Sequence, residues 1–177
     1  MEPIYSFLLD IIKLAAAGAL VFLLVYLVIR PLLDKNRHYQ LLELKKASIE
    51  KTLPLRLQAY ERLVLFVERI TPANLLLRAQ VPGITASELQ QMLSAEIRNE
   101  YHHNVSQQLY VNNVSWEVVK KIKEDTLSLI NNVARSLPPD APGIDMSKSI
   151  LSHISSLEEN PYDIALNVIK SDFHKLF

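Results

Sequence analysis

The 177-residue sequence contains no cysteine. That excludes disulfides, thiolate zinc sites, iron–sulfur clusters and cysteine nucleophiles. Glycine is almost as scarce, at Gly18, Gly83 and Gly143 only. A β-rich fold needs many tight turns, and tight turns need glycine, so the scarcity predicts helices. It also leaves no glycine-rich loop to cradle a phosphate. No segment alternates apolar and polar residues long enough to predict a strand. No repeat of solenoid length is present, nor any HExxH or GxSxG motif.

Charge is balanced in number but not in place. The chain has 19 basic and 19 acidic residues. Residues 1–29 carry only Glu2, Asp10 and Lys13. Residues 30–56 carry Arg30, Lys35, Arg37, Lys45, Lys46, Lys51 and Arg56 against Asp34, Glu43 and Glu50. The remainder is net acidic, which disfavours a nucleic-acid partner, because a polyanion needs a basic footprint.

The basic stretch directly follows an apolar one. Leu14 to Ile29 has no charged residue, and extension to Ile11 gives a helix of ~28 Å, matching a hydrocarbon core of ~30 Å. Lys13 lies at the helix end, where its stem reaches the headgroups, with Asp10 one turn earlier as a partner. A cleaved signal peptide fits poorly: the preceding residues are acidic, and Arg30 and Pro31 close the run. The expected architecture is all-α. Residues 1–30 form a transmembrane anchor, 31–52 a basic helical neck, and 53–177 a compact multi-helix cytoplasmic domain. Arg30, Lys35, Arg37, Lys45 and Lys46 form a membrane-surface set. Their side of the helix stays inside the cell and the N-terminus outside. Ala15, Gly18 and Ala19 read as an ordinary small-residue helix end. In the neck, Leu41, Leu42 and Leu44 make a narrow stripe without sustained heptads.

Beyond the neck, residues 53–70 (LPLRLQAYERLVLFVERI) are apolar on most of their circumference. They predict a central core helix or half of a dimer interface, starting at Pro54 with Thr52 as cap. Thr71-Pro72 predicts a stop and a restart, with a short helix to about Ala79. Thr85 and Glu88 have capping-box spacing. The following stripe, Leu89, Leu93, Ile97, Tyr101, Val105 and Leu109, is spaced by four throughout. It therefore rotates by ~200° over its length, so the helix either breaks near Asn104 or changes neighbours. Ser115 is expected to cap a helix from Trp116 to about Ser136, with Val119, Ile122, Thr126, Leu127 and Ile130 inward. After the rigid loop Pro138 to Gly143, Ser147 is expected to cap the next helix, with Ile150, Leu151, Ile154 and Leu157 apolar. Asn160-Pro161 opens the last, which carries Ala165, Val168, Ile169, Phe173 and Leu176.

One cluster has the residue types of a metal site. Glu100 and His103 have the Glu-x-x-His spacing of half a di-iron site, with Glu96 one turn earlier, but the second half is missing. The plainer reading is a solvated helix face, and no cofactor is expected. Asn104-Val-Ser106 and Asn113-Val-Ser115 match the N-glycosylation pattern, by chance if this part faces the cytoplasm. Trp116 reads as core filling or a contact.

Residues 53–70 and ELQQMLSAEIRNEYHHNVSQQLYV (Glu88 to Val111), behind one N-terminal span, resemble a family of uncharacterised bacterial single-span membrane proteins. The resemblance covers most of Leu53 to Asn132 and not the tail after Pro138. It implies a bacterial inner-membrane location and a helical cytoplasmic domain, and transfers no functional residue. The expectation is a non-catalytic scaffold or adaptor that binds a protein partner, or itself, at the membrane face. The alternative is a helical enzyme or metal protein using Glu96, Glu100 and His103.

Overall fold

The computed structural model describes residues 2–79, 81–138 and 140–175, without the side chains of 2–4, 6 and 31–39. Among these residues there are six α-helices, one 3-10 turn and no strand. The chain divides into two compact units, residues 1–52 and 53–177.

The first helix, α1, runs from Glu2 to Ile70. The expected boundaries at Pro31 and Pro54 are not there: both prolines lie within α1. An interior proline costs ~3 kcal/mol in lost bonding and steric clash. At Pro54 the carbonyl deprived of its donor belongs to Glu50, which is exposed and can be solvated instead. Thr52 caps nothing. Its hydroxyl donates to the Ser48 carbonyl at 3.0 Å, inside the helix.

In the second unit, α1 buries one face: Ala59, Tyr60, Leu63, Phe66, Val67 and Ile70. Burial covers less of the circumference than the composition suggested, since Leu55 and Leu65 remain exposed. The end of α1 is sealed by the chain that follows. Both the amide and the hydroxyl of Thr71 donate to the Val67 carbonyl. The Asn74 amide donates to Glu68 O at 2.9 Å, and the Arg78 guanidinium to Arg69 O at 2.8 Å. Carbonyls that a helix end normally leaves to water are thus taken by side chains. Asn74 and Arg78 belong to α2 (Pro72–Arg78), which starts at its proline as expected.

Helix α3 (Ala86–Asn104) begins with a complete capping box: Thr85 Oγ1 accepts from Glu88 N, and Glu88 Oε2 from Thr85 N at 2.9 Å. The Thr85 amide, with the Thr85 hydroxyl donating to the same Oε2, holds the Glu88 carboxyl below its usual range. The rotating stripe resolves as a break. Leu89, Leu93 and Ile97 are buried, the α-helix stops at Asn104, and Val105–Leu109 tighten into the 3-10 turn with Val105 and Leu109 exposed. Asn104 is buried, and its amide donates to Glu100 O, so the folded chain does not present it to a glycosylation enzyme.

Two expected caps are corrected. Helix α4 (Asn113–Ser136) is capped by Asn112, whose side chain accepts from Val114 N at 2.7 Å. Ser115 is instead fully buried inside the first turn. Helix α5 (Gly143–Ser155) starts ahead of Ser147, whose hydroxyl donates back to Gly143 O. Its start is fixed from outside, by a bridge between Thr85 and Pro142. Ala86 N donates to Ala141 O at 2.7 Å and Gly143 N to Ile84 O at 2.8 Å. A β-carbon at Gly143 would lie 2.8 Å from Ile84 Cγ2 and 2.9 Å from the Ile84 carbonyl oxygen, which explains the glycine. Helix α6 (Pro161–His174) opens on Asn160 and Pro161 as expected, and Tyr162, Ala165, Leu166 and Ile169 enter the core. Leu176 lies outside the described residues.

Candidate functional site

The most unusual surface is the N-terminal part of α1. Phe7–Arg30 is long and apolar enough to cross a membrane, and none of it is buried. Its large apolar side chains are exposed from 45% at Leu9 to 77% at Leu14. Each apolar Å² left in water forgoes about 25 cal/mol, so this surface needs a non-aqueous covering. Its charged residues are each engaged by a neighbour. Lys13 pairs with Asp10 at 3.0 Å. The Arg30 guanidinium stands 5.7 Å from the centre of the Tyr26 ring, a cation over an aromatic face where the apolar run ends.

The continuous helix divides the membrane-surface set in two. At 1.5 Å per residue, Lys45 stands ~22 Å along the axis from Arg30. That is more than two Debye lengths of roughly 8–10 Å. Arg30 meets headgroups if the bilayer ends beside it. Lys45 and Lys46 lie further along the same helix. Both are exposed, and Lys46 lies 3.9 Å from Glu50. The side chains of Lys35 and Arg37 lie outside the described residues.

Glu96 and Glu100 of α3 face arginines. Arg69 Nε approaches Glu100 Oε2 at 2.9 Å, and Arg78 approaches Glu96 Oε1 at 3.4 Å. His103 is exposed. Among the described residues, no group of three or more His, Asp or Glu side chains is arranged to hold a metal ion. The two carboxylates tie α3 to α1 and α2.

Sequence reasoning missed the main polar feature of the core. Asp172 on α6 is 3% exposed. Its Oδ2 accepts from Tyr60 OH at 2.6 Å and from Ser115 Oγ at 2.7 Å, and its Oδ1 from the Asn112 amide. Tyr60 OH in turn accepts from Asn112 N at 3.3 Å. Burial raises the Tyr60 pKa, and the bond to Asp172 raises it further. A second buried pair joins Tyr162 OH and Thr126 Oγ1 at 2.8 Å. Burial pushes the Tyr162 phenol up to about 12. Tyr60, Ser115, Thr126, Tyr162 and Asp172 are buried and serve one another, while Asn112 is exposed.

Residues 6–176 match the model of a family described as a Family of unknown function (DUF7935). The chain belongs to that family. No curated protein and no solved structure matches it. The DUF7935 match takes in the apolar run, the neck, every helix of the second unit and the tail after Pro138. In this DUF7935 chain, Trp116 is core: it is 6% exposed and stacked on Tyr101 at 5.6 Å, with Lys123 Nζ over the Tyr101 ring at 4.2 Å. The second unit has a cleft of about 620 Å³, walled by Leu76, Val81, Ile84, Leu89, Pro142 and Ile144. Its polar edge is occupied by the capping box and the Thr85–Pro142 bridge.

Proposed function

We propose that this chain is a single-span protein of a bacterial inner membrane, and that its helical domain is a non-catalytic platform for a protein partner at the cytoplasmic face. The observation that carries this reading is the contrast between the two units. One exposes an apolar helix of membrane-crossing length, and the other is a helical core in which the buried Asp172 and Thr126 are engaged by Tyr60, Ser115 and Tyr162. Residues 1–30 are the anchor, 31–52 the neck and 53–177 the platform. The charges support the orientation, with Glu2 and Asp10 on one side of the run and the basic cluster from Arg30 on the other. The Arg69–Glu100 and Arg78–Glu96 pairs speak against a metal or catalytic role for these carboxylates, since each is already engaged by a cation.

Three measurements on cells expressing the full chain test the reading. The chain should stay in the pellet after alkaline carbonate washing. Protease added outside spheroplasts should leave the domain intact and should digest it once the membrane is opened. Release by carbonate overturns the anchor, and digestion in intact spheroplasts overturns the orientation. Affinity purification from mild detergent should recover a stoichiometric partner, and recovery of a lone monomeric chain overturns the platform.

A further inference from the structure

Every residue from Gln40 to Thr52 is exposed. Four of them are large aliphatics: Leu41 at 59%, Leu42 at 50%, Leu44 at 68% and Ile49 at 60%. A lone helix in water is ordinarily supported by many charge pairs one turn apart. Among the described residues this stretch has Lys46–Glu50, at a loose 3.9 Å. We infer that the neck pairs with the neck of a second copy of this chain, as a short parallel two-stranded coiled coil in which Leu42 and Ile49 meet their counterparts. The inference rests on the anchored reading above. Copies inserted in the same direction present the same residues at the same height, which fixes the pairing as parallel.

Charge selects the register. Leu42 and Ile49 are seven residues apart and take the d positions of successive heptads, with Lys46 at a between them. Lys45 then falls at g and Glu50 at the following e. In a parallel pair a g residue faces the e residue five positions on in the other strand. Lys45 therefore meets Glu50 of the partner subunit, and by symmetry the contact occurs twice. The rival seam starts from Leu41 and Leu44 and continues to Ser48 and Lys51. Its flanking pairs are Gln40 with Lys45 and Ala47 with Thr52, which bring no opposite charges together. Lys46 at an a position lays its stem along the seam and carries its ammonium out to water. A single polar a residue of this kind fixes register at some cost in stability. Two heptads are too short to pair well in free solution. Confinement in one bilayer raises their effective concentration.

The absence of native cysteine makes the seam directly measurable. Single-cysteine variants of the full chain, in native membranes, are oxidised and run on non-reducing gels. Leu42→Cys and Ile49→Cys should give disulfide dimers several-fold more abundant than Leu41→Cys, Leu44→Cys, Ser48→Cys or Lys51→Cys. Adding Lys45→Glu to Ile49→Cys should cut its dimer several-fold, and adding Glu50→Lys as well should restore it. Crosslinking that is even around the helix, that peaks at 41, 44 or 48, or that is absent at 42 and 49 overturns the pairing. Carbonate washing of the same membranes reports the anchor separately. A chain retained but not crosslinked defeats the pairing alone, and a chain released by alkali defeats the anchored reading.

Discussion

The Tyr60 hydroxyl donates to the Asp172 carboxylate at 2.6 Å, joining the first helix to the last across 112 residues of sequence. The same carboxylate accepts from Ser115 and Asn112 at the start of α4, so three helices converge on one buried acid. Removing one donor should therefore be tolerated better than removing the acceptor. Tyr60→Phe is expected to cost about 1–3 kcal/mol in urea unfolding of the detergent-solubilised chain. Asp172→Ala should cost more, because it strands the buried hydroxyl of Ser115 as well as that of Tyr60. Equal losses for the two variants would show that the acid does not organise this junction.

Tyr162 gives the domain a weakness to alkali. Its phenol titrates near 12 in the folded chain, against 10.0 for the unperturbed group. Below pH 10 both states hold the proton and stability is unaffected. Between 10 and 12 the unfolded chain releases the proton first, so stability falls as pH rises. Two units correspond to about 3 kcal/mol. Tyr162→Phe should flatten that decline at the expense of a partner for Thr126. Stability followed by fluorescence across this window is the measurement, and an unchanged slope in the variant would remove Tyr162 as the cause.

Gly143→Ala should destabilise through contact rather than through backbone conformation. The added carbon meets the Ile84 carbonyl at 2.9 Å, and the bridge to Ile84 cannot move away cheaply. A loss of about 1–3 kcal/mol is expected. Gly83→Ala meets no atom within 4 Å but sits at φ +75°. It should cost about 1 kcal/mol through the left-handed backbone alone. Thermal melts of the two variants separate the causes, and a neutral Gly143→Ala would mean that the loops part easily.

Added zinc or iron should leave the melting temperature of the chain unchanged, because Glu96 and Glu100 are held by Arg78 and Arg69. Arg69→Met should lower it, with a loss of stability of about 1 kcal/mol, since Arg69 is half exposed and Glu100 is not. A metal-dependent rise that vanishes in Glu100→Gln would reinstate a ligand role for these side chains.

Signals confined to a few neighbouring residues were legible in the sequence. The Thr85 and Glu88 box, the Asn160-Pro161 start and the rotation that ends α3 at Asn104 each follow from groups within one or two turns. Where a distant group competes, local reading fails. Ser115 has the chemistry of a cap, but Asp172, 57 residues away, takes its hydroxyl, and Asn112 caps the helix instead. Pro54 has the look of a helix start, but α1 already runs on both sides of it. The acid at Asp172 was invisible for the same reason, since its donors are scattered from Tyr60 to Ser115. The apolar run was legible because its signal is composition alone.

The three carbonyls at the end of α1, held by Thr71, Asn74 and Arg78, bear on how the domain comes apart. Helix termini are ordinarily where melting begins, and this one is closed. Amide exchange in the last turns of α1 should then report whole-domain opening rather than fraying of that end.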